Sequence, residues 1–312
     1  MDKAVCKVCS EEFASDASLH KHLKVHEMRV VQYYQTHYPR YDIYNKEIIK
    51  FKNKEQYFSS EFNSRTNLRM WLKAQTKEAA QEYCKNILVS RKNKKKIVYA
   101  PTQVELRSIM SPPINYYNEL FGDYYELCKS VGFEIKHRNL HGPIDSISAV
   151  GLGRVVYVDT REQRPLKFNL PIEIKTLKFG DYSFSDRDAT CNCYVERKSL
   201  QDFVGTLSGG FDRFCREIER SKDSDANFIV VIESDFNDVA GFQFLREVNK
   251  KVKATPEYIM HNVRDIIQKY PHVQFLFVKG RKEAVRVIEK IFTCKCLYKE
   301  VDLQLAYDTD KL

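Results

Sequence analysis

Gly180-Asp181, then fourteen residues, then Glu196-Arg197-Lys198, then Asp202: this stretch decides how the chain reads. An acid, a spacer and Glu-x-Lys supply what metal-assisted hydrolysis of a phosphodiester requires. Two carboxylates offer hard oxygen ligands to a divalent cation such as Mg2+. Such a cation polarises a phosphate oxygen and lowers the pKa of a bound water. A lysine two residues after a glutamate shares its face of a strand, because side chains alternate with period two. From there its ammonium can orient the water or stabilise charge developing on the phosphate. The competing reading is a solvated charge cluster beside a turn, since Glu-Arg-Lys alone is a common surface tripeptide.

The flanking sequence favours the first reading. Arg154 to Val158 is apolar and rich in β-branched residues, and it predicts a buried strand that delivers Asp159 at its end. Gly180 predicts a turn ahead of Asp181. Tyr194 and Val195 open the strand carrying Glu196 and Lys198. Ser199 reads as an N-cap, with Asp202 in the first helical turn. Further apolar strands are predicted at 227–233 and 273–278, with helices near 200–206, 210–222, 256–270 and 281–292. That alternation predicts an α/β fold with a mostly parallel, helix-flanked sheet.

Val158-Asp159-Thr160-Arg161-Glu162, Gly180-Asp181 and Glu196-Arg197-Lys198-Ser199-Leu200-Gln201-Asp202 resemble the ERCC4-type (XPF/MUS81-like) nuclease domain, over about residues 152–293. Phe203, Arg213-Phe214, Glu217 and Arg220 extend the likeness. The resemblance implies a restriction-endonuclease-like core that cleaves branched DNA, such as flaps, forks and junctions, with Mg2+ or Mn2+. It implies metal ligation by Asp181 and Glu196 together with Asp159, a catalytic Lys198, and support from Arg161, Glu162, Arg197 and Asp202. It also implies a homodimer through the last nuclease helices. Their stripes (Ile259, Val263, Ile266, Ile267; Val285, Ile288, Ile291, Phe292) read on pattern alone as core. The chain departs from the family's usual layout. About twenty residues follow the nuclease region, too few for tandem helix-hairpin-helix modules, and no G-x-x-x-x-G-K-[ST] helicase loop is present. Substrate targeting is therefore expected from the N-terminal half.

Cys6-x2-Cys9-x12-His22-x3-His26, with Phe13 and Leu19 between, has the spacing of a tetrahedral Zn2+ site and resembles a C2H2 zinc finger. The apolar pair supplies the small core such a unit needs. Its helix turns Ser15, Asp16, Ser18, His20 and Lys21 outward, and His20 reads as a surface residue. Contact with nucleic acid, contact with protein and a purely structural role all remain open.

Residues 29–98 read as a basic, mostly helical segment. Tyr33, Tyr34, Tyr38, Tyr41 and Tyr44 read as core aromatics, with base-stacking platforms as the alternative. Leu68–Lys73 and Glu78–Leu88 have apolar residues three and four apart, as amphipathic helices do. Arg91-Lys92-Asn93-Lys94-Lys95-Lys96 reads as a solvated linker, a phosphate contact or a nuclear import signal. Residues 99–140 show a helix start at Pro101-Thr102 and glycine stops at Gly122 and Gly132. They resemble the helix-turn-helix-like repeat attached to homing endonucleases, or else they brace the nuclease. The expected layout is a ββα finger at 1–28, helical segments at 29–98 and 99–140, the nuclease core at 150–293 and a tail at 294–312.

Composition agrees with a DNA partner. Lys and Arg number 51 against 42 Asp and Glu, a net charge of +9, which favours polyanions through counterion release. No apolar run is long enough to span a membrane and no secretory signal is evident. The expectation is a soluble intracellular protein of the nucleus, nucleoid or host cytoplasm, according to source. The nine cysteines are not spaced as a disulfide framework. Cys191-x-Cys193 and Cys294-x-Cys296 are either a second zinc site or free thiols of a reducing cell. Two alternatives to an endonuclease stand: a catalytically silent DNA-binding scaffold and a zinc-finger DNA-binding protein.

Overall fold

The computed structural model describes residues 4–39, 48, 50–58, 65–109, 111–140, 142–143, 153–186, 189–240, 242, 254–294 and 297–312. The chain divides into two compact units, Met1–Gln75 and Thr76–Leu312. The division falls inside the 29–98 segment, which the sequence presents as one piece. Tyr41, Tyr44 and Cys296 lie outside the described residues.

In the first unit, β1 (Ala4–Val5) pairs antiparallel with β2 (Glu12–Phe13), and α1 (Asp16–His22) follows. Ser15 caps α1 by accepting from the Ser18 amide. Cys6, Leu19 and Leu23 are buried, and α2 (Val30–His37) completes their cluster with Tyr33, which has no exposed surface. The Tyr33 hydroxyl accepts from the Lys7 amide at 2.9 Å and donates to the Val5 carbonyl at 3.4 Å. A unit this small buries too little of its own surface, and a neighbouring helix supplies the missing aromatic. Helices α3 (Lys54–Phe58) and α4 (Arg65–Ala74) complete this unit's described elements.

The second unit opens with α5 (Lys77–Lys95), capped by Thr76. Residues 91–95 of the basic run belong to this helix rather than to a linker. Arg91 pairs with Glu105 at 3.3 Å and Lys92 stands over the Phe133 ring, while Lys94, Lys95 and Lys96 are exposed. Helix α6 (Gln103–Arg107) starts at a Thr102–Glu105 capping box, and α7 (Ile114–Phe121) ends at Gly122, whose φ is +85. Helix α8 (Tyr124–Ser130) is capped by Asp123. Tyr117 and Tyr124 are fully buried with Cys84, Leu88 and Cys128, so these aromatics are core.

Beyond them, β3 (Val156–Asp159), β4 (Ile172–Lys175), β5 (Tyr182–Asp186), β6 (Ala189–Thr190) and β7 (Cys193–Lys198) lead to α9 (Leu200–Thr206) and α10 (Phe211–Asp223). Then come β8 (Asn227–Ile232), α11 (Phe236–Ala240), α12 (Pro256–Lys269), β9 (Val273–Phe277), α13 (Arg281–Thr293) and α14 (Leu303–Asp308). The sheet runs β4-β3-β5-β7-β8-β9, with β6 on β5. The β3/β4, β7/β8 and β8/β9 pairs are parallel, whereas β5 is antiparallel to both β3 and β7. Strands β4 and β5 are not among the predicted strands, which are read from apolar runs: these two alternate apolar residues with Glu, Lys and Ser over only four and five residues.

Alternate strand residues feed two cores. Tyr194, Phe228, Val230, Ile232 and Phe275 pack with α9–α12. Val195, Ile229, Val231 and Leu276 pack with α13 and α14. Ile259, Val263, Ile266, Ile267, Ile288, Ile291 and Phe292 are buried in these cores, with Val285 half-buried. The chain therefore covers those stripes itself, and a dimer would have to use other surfaces. The expected tail is also part of the body. Gln304 accepts from the Phe277 amide at 2.8 Å, and Asp302 accepts from the Gln103 amide at 2.7 Å. Six residues, Leu303–Asp308, are too few for a helical period to show in the sequence. Among the described residues no helix is long and apolar enough to cross a membrane.

Candidate active site

Alternation along β7 assigns each charge to a side of the sheet. Glu196 and Lys198 face the α9–α10 layer with Tyr194; Arg197 faces the α13 layer with Val195. The Lys198 ammonium is 2.5 Å from Glu196 Oε1 and 6.0 Å from the Phe214 ring centroid of α10.

Asp181 is brought to the pair by Gly180. That glycine has φ +59, and a Cβ there would lie 2.7 Å from the Val195 carbonyl oxygen. No other residue lets the chain press against β7 at this point. The Asp181 amide donates to Val195 O at 2.8 Å, and the Arg197 amide donates to Asp181 Oδ2 at 2.8 Å. Burial and the neighbouring Glu196 charge push Asp181 up to about 7. Burial also raises Glu196, against the opposing pull of Lys198. For Lys198, burial acts downward, but Glu196 and Asp181 outweigh it and the net shift is upward.

Asp181 is half-buried and Glu196 buried, and the Glu196 charge helps to raise the Asp181 carboxyl, so the two are held together against their own repulsion. Hard oxygen donors in that state fit a divalent cation, which commonly binds through one or two carboxylates plus substrate phosphate.

Asp159 does not join them. It is 2% exposed, with Oδ1 accepting from the Arg161 amide and side chain at 2.9 and 2.6 Å and Oδ2 accepting from the Leu177 amide at 2.7 Å. Burial acts to raise its pKa, but these bonds win and hold it below the usual value. Its amide donates to Asp181 O at 2.9 Å, so it braces the strand pair. Among the described residues, the sole cluster of three or more potential ligands close enough to share an ion is Cys6, Cys9, His22 and His26.

Glu162 and Arg197 pair behind the sheet edge at 3.0 Å, with side chains 6% and 13% exposed. Tyr182 and the Arg164 amide also donate to Glu162. Asp202 is exposed at the start of α9, and its carboxylate accepts from Ser199 Oγ at 2.7 Å. Sequence reasoning missed Glu233 and Arg281. Glu233 follows β8 opposite Lys198 and bridges Arg197 at 3.3 Å to Arg281 at 3.2 Å. Arg281 also donates to the Arg164 and Pro165 carbonyls. The available signal was an acid at the carboxyl end of a parallel strand, where α/β sheets gather their chemistry. Glu217, half-buried on α10, adds a further negative charge felt by Glu196 and Lys198.

The Cys/His ligand atoms all lie within 4.8 Å of one another, including Cys9 Sγ to His22 Nε2 at 3.2 Å and Cys6 Sγ to His26 Nε2 at 3.6 Å. Two thiols and two imidazoles so gathered fit tetrahedral Zn2+. His20 stands apart, bonded to the Tyr34 hydroxyl at 3.0 Å. Ser15 and Ser18 bond each other at 3.1 Å. Three of the five outward residues are thus engaged within the unit.

No match was found among curated protein sequences. Among solved structures, XPF from Aeropyrum pernix is similar at 21% identity and a TM-score of 0.34, over 44% of this chain and 64% of that chain. XPF from Aeropyrum pernix in complex with DNA is similar at 20% identity and the same TM-score, over 46% and 64%. The chain thus spans under two thirds of the length of these structures. Residues 158–291, from the end of β3 into α13 and including Asp159, Asp181, Glu196 and Lys198, match the family model of the ERCC4 domain.

Proposed function

We propose that this chain is a metal-dependent, structure-selective DNA endonuclease that hydrolyses phosphodiester bonds in branched DNA, such as flaps, forks or junctions. The observation that carries the reading is the meeting of Asp181, Glu196 and Lys198 at the end of β7. A bound Mg2+ or Mn2+ would polarise the phosphate and acidify a water. Asp181 and Glu196 would hold it. Lys198, tethered by Glu196, would place its positive charge where the phosphoryl oxygens gain charge. Asp159, Glu162, Arg161 and Arg197 would act by positioning, through the bonds that fix Asp181 and β7. Asp202, beside Lys198, would line the approach.

The zinc site is proposed as the fold-holding centre of the first unit. The internal bonds of Ser15, Ser18 and His20 favour a structural or protein-contact role over base reading. A homodimer and a nuclear or nucleoid location follow only from the family likeness.

The test uses labelled flap, fork, four-way and blunt duplex DNA with the full chain in Mg2+, with and without chelator. Asp181→Ala and Lys198→Ala are expected to abolish cutting while DNA binding persists. Full cutting by either variant would refute the assignment. Binding without cutting by the parent chain would favour the silent scaffold. Preference for one duplex sequence without cutting would favour a zinc-finger regulator.

A further inference from the structure

We propose that the groove between α9 and α10 binds the backbone of one unpaired DNA strand and feeds it to Lys198, an inference that rests on the endonuclease reading. The groove has a volume of about 740 Å3, with Lys198 and Asp202 at one end, Gly205 and Gly209 along it, and Arg213 on the α10 side. Pockets of about 300–1,000 Å3 take ligands of small-molecule size, and the bare backbone of the two glycines between Lys198 and Arg213 leaves room for a sugar-phosphate backbone.

The glycines carry the argument. Gly210 has a structural reason, because a Cβ there would press on Thr206 Cα at 3.2 Å. Gly205 and Gly209 have none. A Cβ on either would meet nothing within 4 Å, and neither has the positive φ that favours glycine. Gly205 also lies within α9, where glycine weakens a helix relative to alanine. Neither fold nor packing asks for a bare backbone here. Something entering the groove does, and the cation beside it suits a phosphate. Arg213, Arg216 and Arg220 are exposed on one face of α10, spaced three and seven residues apart, or about 10 Å along the helix. Glu217 shares that face, so three cations against one acid extend a net positive wall away from Lys198, while Asp202 and Glu217 leave the Lys198 end more nearly neutral. Such a track fits a polyanion that passes the reactive end and continues along α10.

The experiment measures binding by fluorescence anisotropy with Mg2+ omitted. The probes are a labelled duplex with a single-stranded flap and a blunt duplex of the same sequence, each across a salt series. Gly205→Leu is expected to keep or raise the melting temperature and to weaken flap binding by roughly tenfold, with an unchanged salt slope and unchanged blunt-duplex affinity. Arg213→Gln is expected to weaken flap binding and lower the salt slope by about one. Gly205→Leu binding the flap as tightly as the parent chain, or losing both probes equally, would overturn the proposal. Should Gly205→Leu melt earlier, Gly209→Ser carries the same expectations. Because binding is read without turnover, a parent chain that cuts no DNA would sink the endonuclease reading and leave this measurement intact.

Discussion

The Lys198 ammonium sits 2.5 Å from Glu196 Oε1, and Glu196 is only 8% exposed. One cation thus faces two carboxylates, since Asp181 lies over the same strand end. That imbalance gives the metal-free protein a pH dependence with a definite sign. The Asp181 pKa rises from 3.8 to about 7 on folding, and Glu196 rises too. The folded state therefore binds more protons than the unfolded state across that window. Stability is fully present below about pH 4 and is lost as pH climbs through about 7. Melting temperature measured from pH 4 to 8 should fall for these groups, Asp181→Asn should flatten the fall, and Mg2+ should restore the loss near pH 8. A metal-insensitive profile identical in parent and variant would contradict this.

Gly180→Ala is expected to cost about 2–4 kcal/mol. A left-handed backbone alone costs about 1–2 kcal/mol for an alanine, and the new Cβ would stand 2.7 Å from Val195 O. Denaturant unfolding measures the cost. Cleavage should fall further than stability does, because any relief of the clash moves Asp181 away from β7.

Arg197 is a neighbour of Lys198 with a different task. Removing one partner of a buried pair costs about 3–5 kcal/mol, so Arg197→Ala should destabilise on that scale by orphaning Glu162. Glu233→Gln keeps the shape, weakens the bond to one arginine and loses the bond to the other, costing about 1 kcal/mol because Arg281 is well exposed. Its melting curve should be near the parent's. If Glu233 positions β7 through Arg197, kcat should drop while KM holds; an unchanged kcat would reduce Glu233 to a structural residue.

Metal removal should separate the two units. Metal analysis should find about one Zn2+ per chain, bound through Cys6, Cys9, His22 and His26. Structural zinc commonly contributes about 10–16 kcal/mol to such a fold. A zinc chelator or Cys6→Ser should therefore expose residues 4–39 to proteolysis while fragments covering 76–312 persist. Equal protection with and without chelator would remove zinc from the account.

The strands at 193–198, 227–232 and 273–277 and the helices at 200–206 and 281–293 were legible because each carries a short run rich in β-branched or aromatic residues or a clean helical stripe. The Cys/His spacing and the Glu-x-Lys pair were legible for a related reason: residues near in sequence share a turn or a strand face. Contacts between distant segments were not. Arg197, Glu233 and Arg281 meet because β7 and β8 are parallel and α13 begins at their carboxyl ends. Asp159 looked like a third ligand, but its oxygens turn inward to Arg161 and Leu177. Helix α14 looked like a tail, yet its side chains fill both the sheet core and the helical core. Local spacing determined which acidic, basic and thiol groups share a turn or a strand face. Register and packing, which join residues a hundred or more positions apart, decided which of them converge at the end of β7 and which brace the strands around it.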